Sequence, residues 1–209
     1  MPTAYMVFGR PVNPDTATSL IHGARTLLGE TVPVIPAQIQ QILQQSMAAG
    51  QLVLPAFTPV WDTLKISIAS GGGDVVSAFG IYNELKAMPL TIHTHNAGAV
   101  DSAAIIPFML GERRTAAASS AFFFHQIHWT FSANGNLTTT TINDATEWLG
   151  TYEDLMADLV VERSGMEKSE VLKLMREGTS IRPQRALELG LIHEIEEHSI
   201  PQNARSWQV

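Results

Sequence analysis

The chain reads as an α/β protein, because short strand-like runs alternate with amphipathic helical runs, and that alternation implies crossover connections and a largely parallel sheet. Two further observations support this class. Of the 209 residues, 45% are hydrophobic and 16% charged, enough apolar material for a full core. There is no internal repeat of the kind that builds a solenoid or propeller, and the length suits one domain over residues 1–209.

Taken in order, Tyr5 to Gly9 predicts the first strand, and Pro14-Asp15 opens a helix whose Leu20, Ile21, Ala24, Leu27 and Leu28 keep helical spacing. Pro33, Pro36, Pro55 and Pro59 bracket a Gln-rich piece, Ala37 to Ala49, with Ile39, Ile42, Leu43 and Met47 at helical period. Residues 29–62 are therefore read as an inserted helix between proline-rich loops, with Gln40, Gln41, Gln44 and Gln45 on its solvated face. Leu64 to Ile68 alternates as a strand and Val75 to Met88 follows as a helix. Leu90 to His95 is the next strand, followed by a helix over Ser102 to Leu110, then short strands at Thr115 to Ala118 and Ala121 to Phe124. Asn134-Gly135 is a turn signal, Thr138 to Thr141 reads as an edge or handle strand, and Asn143 or Asp144 can cap a long helix to about Arg163. A helix near Lys168 to Arg176 belongs to an α-rich appendage that ends at Gly190-Leu191-Ile192.

Lys and Arg number 13 against 20 Asp and Glu, a formal charge of −7 with no basic block, so nucleic acid and anionic membrane are not expected partners. The absence of cysteine removes disulfides, thiolate metal sites and a cysteine nucleophile together. Met1 to Arg10 lacks the basic and apolar regions of a signal peptide. Ala97 to Leu110, interrupted by Asp101, Ser102 and Pro107, falls short of the roughly 18 apolar residues of a membrane span. A soluble, cytoplasmic protein is the expectation.

Three loops after three expected strands carry groups that can do chemistry. Gly71-Gly72-Gly73 bares backbone N–H groups suited to an oxyanion, or is a plain tight turn. Its spacing fits neither a dinucleotide fingerprint nor a phosphate loop. In Gly98-Ala99-Val100-Asp101-Ser102-Ala103-Ala104, Ser102 is either a nucleophile lifted out of the sheet or a helix cap. His125, after Phe122-Phe123-Phe124, is either a packed histidine or, beside a serine, a general base near pH 7. His93 and His95 alternate on one strand face, but no further ligand has convincing spacing, so no metal is assigned.

Together these loops resemble the family of the proteolytic subunit of the Clp protease, ClpP, serine peptidases of the ClpP/crotonase fold. Ile68-Ala69-Ser70-Gly71-Gly72-Gly73-Asp74-Val75 is similar to the family's N-S-P-G-G segment, with Gly71 where its proline usually stands, and Ile81-Tyr82 follows at the family's distance. Gly98-Ala99-Val100-Asp101-Ser102-Ala103 stands for G-x-A-x-S-M, Phe124-His125-Gln126 for I-H-Q, and Ala186 to Ile192 for the closing E-A-x-x-x-G-L-V. The resemblance is loose over Tyr5 to Leu28 and good over Leu64 to Ile195, and its specificity lies in the order of the motifs.

The resemblance implies repeated ββα units with a helical and strand handle over residues 129–176, and a serine peptidase acting on unfolded or short peptides. It implies Ser102 as nucleophile, His125 as base, and the N–H groups of Gly73 and Ala103 as oxyanion hole, with Gly72 instead of Gly73 if the glycine run is offset by one. It also implies a homo-oligomeric ring and no cofactor in the hydrolysis. The family's triad aspartate falls on Gly178; Glu177 is the nearest acid and takes that role on a slip of one residue. Asp101 replaces a small residue and either opposes the oxyanion or caps the helix. The short N-terminal segment and the 29–62 insertion argue against docking to an ATPase unfoldase. Two other readings stay open: a crotonase-type acyl-CoA enzyme with Asp101 or Glu112 as acid/base, and a non-catalytic assembly module that kept the fold.

Overall fold

A computed structural model describes residues 3–29, 61–131, 138–202 and 204–209. The expected helix at Ala37 to Ala49 and the turn at Asn134-Gly135 lie outside them. Strand β1, Thr3–Phe8, alternates between half-buried and buried positions and turns Ala4, Met6 and Phe8 into the core. Helix α1, Pro14–Gly29, starts where Asn13 and Thr16 exchange side-chain and backbone hydrogen bonds of 2.9 and 3.0 Å, and it buries Leu20, Ala24 and Leu27. Strand β2 (Thr63–Ser70) leads to α2 (Val75–Lys86), whose first turn is capped by Asp74 accepting from the Ser77 N–H at 2.7 Å. Both β1 and β3, Thr91–Asp101, flank β2 in parallel, the arrangement the alternation predicts.

Strand β3 is longer than the expected Leu90 to His95 and passes through Asn96-Ala97-Gly98. Its first half pairs with β4 (Arg113–Ala116) and its second with β5 (Ala121–Phe124), so one strand serves two neighbours on one edge. Fully buried Asn96 bridges the change of partner: its amide donates to the Ala121 carbonyl at 2.7 Å and its oxygen accepts from Gly98 N–H at 3.0 Å. A side chain that completes the ladder in this way lets a turn-type sequence remain extended. A 3₁₀ turn, Ser102–Ala104, and the short helix α3, Ile105–Phe108, follow β3 where one continuous helix was expected.

The Thr138 to Thr141 run is not a strand. Thr138 caps the 26-residue helix α4, Thr139–Ser164, by accepting from Thr141 N–H at 3.1 Å, so the helix starts before Asn143 and Asp144. A local cap bond outweighs a modest strand preference once Met156, Ala157, Leu159 and Val160 bury the far half of the helix. The expected strand of the handle is absent among the described residues. Helix α5, Lys168–Glu177, and β6, Thr179–Ile181, come next, β6 running antiparallel to β5. The end of the chain is not only helical: after α6, Pro183–Glu188, come β7, Glu194–Ile195, on β4, and β8, Ser206–Gln208, parallel to β1. The sheet order is β6-β5-β3-β2-β1-β8.

Two buried polar groups organise the packing around this sheet. Arg114, 2% exposed, donates to the carbonyls of Gly111, Arg163, Gly190 and Leu191 at 2.6 to 3.1 Å. Burial, then the nearby Arg163, pushes its guanidinium down to about 10, which leaves it cationic at neutral pH. It thereby ties the ends of α3, α4 and α6 to β4. Beside it, on β3, fully buried His95 pairs its Nδ1 with Thr115 Oγ1 at 2.8 Å and stacks on His198 at 4.8 Å, near Lys65, Arg113 and Glu196. Burial, then His198 and Lys65, push His95 down to about 4.

Two outcomes follow from these groups. Arg114→Met leaves four carbonyls without their donor and should cost about 3 kcal/mol or more, lowering the melting temperature by roughly 6–12 °C in a calorimetric scan. The unfolded chain takes up a proton on His95 near its ordinary value of 6.5, whereas the folded chain resists until about 4. Stability present above pH 6.5 is therefore lost as pH falls toward 4, by on the order of 2 kcal/mol. Urea midpoints across that window should show the loss, and His95→Gln should flatten it.

Candidate active site

The glycine loop is held by backbone bonds on both sides of Gly73. Ser70 Oγ donates to the Arg10 carbonyl at 2.7 Å and accepts from Gly72 N–H at 3.3 Å, while Gly72 O accepts from Val12 N–H and Val12 O from Asp74 N–H, both at 2.8 Å. Gly73's own N–H stays out of this bridge. Gly72 and Gly73 have φ of +86° and +147°, and a Cβ on Gly72 would come within 2.6 Å of the Asp101 carbonyl. Gly72's N–H is thus occupied by Ser70, and it is Gly73 that borders the cavity described next.

Ser102 follows the end of β3 and is the one non-glycine residue with positive φ among the described residues, at +54°. That conformation costs about 1 kcal/mol or more in an L-residue, and it lifts the side chain off the line of the strand. His125 follows the end of β5, its ring 5.4 Å from that of Phe123 and 5.8 Å from that of His128. His125 Nδ1 lies 2.7 Å from the carbonyl of Gln126. A carbonyl can only accept, so Nδ1 carries the proton and Nε2 keeps its lone pair. Gly73, Ser102, Ala103 and His125 border one cavity of about 190 Å³, whose apolar wall is built by Val75, Ile127, Trp148 and Met156. Trp148 comes from α4 and is wedged against Trp129 and Tyr152 at 5.0 and 4.5 Å.

The acids fall elsewhere than expected. Glu177 ends α5 with its side chain 56% exposed and 4.0 Å from Lys173, so the expectation that it orients the imidazole is not met. Gly178 caps that helix at φ +64°, one position beyond the Phe124–Thr179 pair, on the strand next to His125. A Cβ there would meet only Phe123 Cζ, at 4.0 Å. Asp101 makes no cap bond to the turn that follows it. Burial pushes its carboxyl upward, opposed by the charge of His125 and by the Phe123 N–H. Glu112 precedes β4, which meets β3 at His93, the end of that strand far from Ser102, so it does not belong to this cavity. Among the described residues no group of three or more His, Asp or Glu side chains is arranged to hold a metal, and no helix is long and apolar enough to cross a membrane.

Sequence reasoning missed three participants. Val12 clamps the glycine loop through its backbone, the Gln126 carbonyl fixes the imidazole tautomer, and Trp148 supplies a wall from a helix 20-odd residues further along the chain. Backbone groups leave no trace in residue identity, and only the aromatic cluster around Trp148 was available as a signal. Known proteins share this architecture. A solved structure of a ClpP1 point mutant from Listeria monocytogenes matches with a TM-score of 0.67 and 17% identity, covering 93% of this chain and 91% of that one, a likeness of fold. No curated protein matches the sequence. The family model described as Clp protease matches residues 16–199, most of the chain and all of the cavity's residues, and the chain belongs to the Clp protease family.

Proposed function

We propose that the protein is a serine peptidase that hydrolyses peptide bonds of unfolded or short peptides at the cavity between the glycine loop and α4. The observation that carries this reading is the convergence of Ser102, His125, Gly73 and Ala103 on one cavity, with Ser102 in a strained conformation and Nε2 of His125 free to accept a proton. In this reading Ser102 Oγ attacks the peptide carbonyl while His125 Nε2 takes its proton and returns it to the leaving amine. The N–H groups of Gly73 and Ala103 receive the oxyanion. The Gln126 carbonyl does part of the work of a third triad member: it selects the tautomer, but as a neutral acceptor it stabilises the imidazolium less than a carboxylate does. Ser102 and His125 are not hydrogen-bonded to each other, and such contacts commonly tighten only when substrate binds or subunits assemble.

The apolar wall of Ile127, Trp148 and Met156 suits an apolar side chain beside the scissile bond. No step requires a cofactor or metal. A homo-oligomeric ring built through the 129–176 region is supported by Trp129, Phe131, Ile142 and Leu155, which are 40 to 50% exposed there. The reading includes no ATPase unfoldase partner.

Fluorophosphonate labelling followed by peptide mapping tests the reading. One adduct on Ser102 is expected, absent in Ser102→Ala and at least about a hundredfold slower to form in His125→Ala. An intact oligomer that never labels would overturn the peptidase and favour the assembly module. Installing the missing acid is a second test. Gly178→Asp has room for its side chain, should cost about 1 kcal/mol of stability at this left-handed position, and should raise the labelling rate about tenfold or more.

A further inference from the structure

With Gly178 in place of an acid and Glu177 turned to solvent, the charge that balances a protonated His125 has to come from another element. Asp101 pairs with Phe123 in the β3–β5 register, so their side chains share a face of the sheet. His125, two residues further along, lies on that same face with its ring against Phe123 at 5.4 Å. Asp101 directly precedes the turn bearing Ser102, makes no cap bond, and is half-buried. It is not among the residues that border the cavity with Gly73 and Ala103. Burial holds its carboxyl up, and the neighbouring His125 opposes that, which places the two groups within electrostatic reach of each other.

We propose that Asp101 is a positioning residue of this site: its carboxylate, on the nucleophile's side of the imidazole, supplies the negative charge that stabilises the protonated His125 formed when Ser102 Oγ gives up its proton. The inference rests on the serine–histidine reading above. The neutral Gln126 carbonyl sets the tautomer at Nδ1, and Asp101 adds the charge through space, so the two tasks of a triad acid are divided between the end of β3 and the segment after β5. The other titratable groups around His125 are His128, stacked on it at 5.8 Å, Glu153 of α4, which accepts from Ile127 N–H at 3.2 Å, and Asp74, engaged as the α2 cap.

The test is a proton NMR titration of the His125 ring in the full-length protein, assigned with His125→Gln and repeated in Asp101→Asn, with Asp101→Ser as a second neutral variant. Removing the carboxylate should move the His125 midpoint down by about half a pH unit or more, whereas Asp101→Glu should hold it close to the original and Glu177→Gln should not move it. The acid limb of the fluorophosphonate labelling rate should shift downward by the same amount. A midpoint unchanged in the folded neutral variants overturns the proposal. A midpoint that moves in a protein that never labels supports the charge coupling and removes the peptidase reading, so the two failures are distinguishable.

Discussion

The structure around the cavity depends on one close approach, that of the glycine loop to the end of β3. Gly72 lies so near the Asp101 carbonyl and Ser102 that a single methyl group would force them apart. The loop is pressed there by its two backbone bonds to Val12 and by the Ser70 hydroxyl. Because β2 and β3 are neighbouring parallel strands, their carboxyl ends arrive at the same edge. The strained φ of Ser102 is tolerated because the strand behind it and the buried Ala103, Ala104 and Ile105 ahead of it leave the turn no other course. The serine, the N–H of Gly73 and the histidine at the end of β5 are thus consequences of where three strands stop.

Much of this was legible from residue pattern. Alternation in Leu64 to Ile68 and helical spacing in Leu20 to Leu28 located elements, since burying one apolar face drives folding more strongly than local preference does and leaves its period in the sequence. The Ser70–Asp74, Gly98–Ala103 and Phe124–Gln126 segments, legible as sequence, hold Gly73, Ser102, Ala103 and His125, which border one cavity. What was misread had physical reasons. Asn96-Ala97-Gly98 looks like a turn, and only the two side-chain bonds of Asn96 keep it in the sheet. The threonines before α4 look like a strand, and a cap bond together with distant burial makes them a helix start. Glu177 was the nearest acid in sequence, but its direction was set by the last turn of an amphipathic helix whose buried side holds Val171 and Met175.

The family's characteristic arrangement and this chain's departures are compatible because they sit on different parts of the scaffold. Arg114 draws together the ends of three helices using only carbonyl acceptors, so this clasp on the end of α4 needs no carboxylate partner. Gly178, the cap just before β6, makes no bond in this clasp. That separation lets position 178 vary with little effect on the shape of the cavity.

The tail after β7 does more than end the chain. Strand β8 lies along β1, Tyr5 N–H donates to the Arg205 carbonyl, and Trp207 and Met6 pack closely against Gly23 of α1, where an added Cβ would lie 2.8 to 3.0 Å from them. Without β8, the outermost strand would be β1, a run with a fully apolar inner face and a row of unsatisfied amides, a template onto which another extended chain could add. Strand β8 therefore acts as a seal on this edge against the addition of another extended chain.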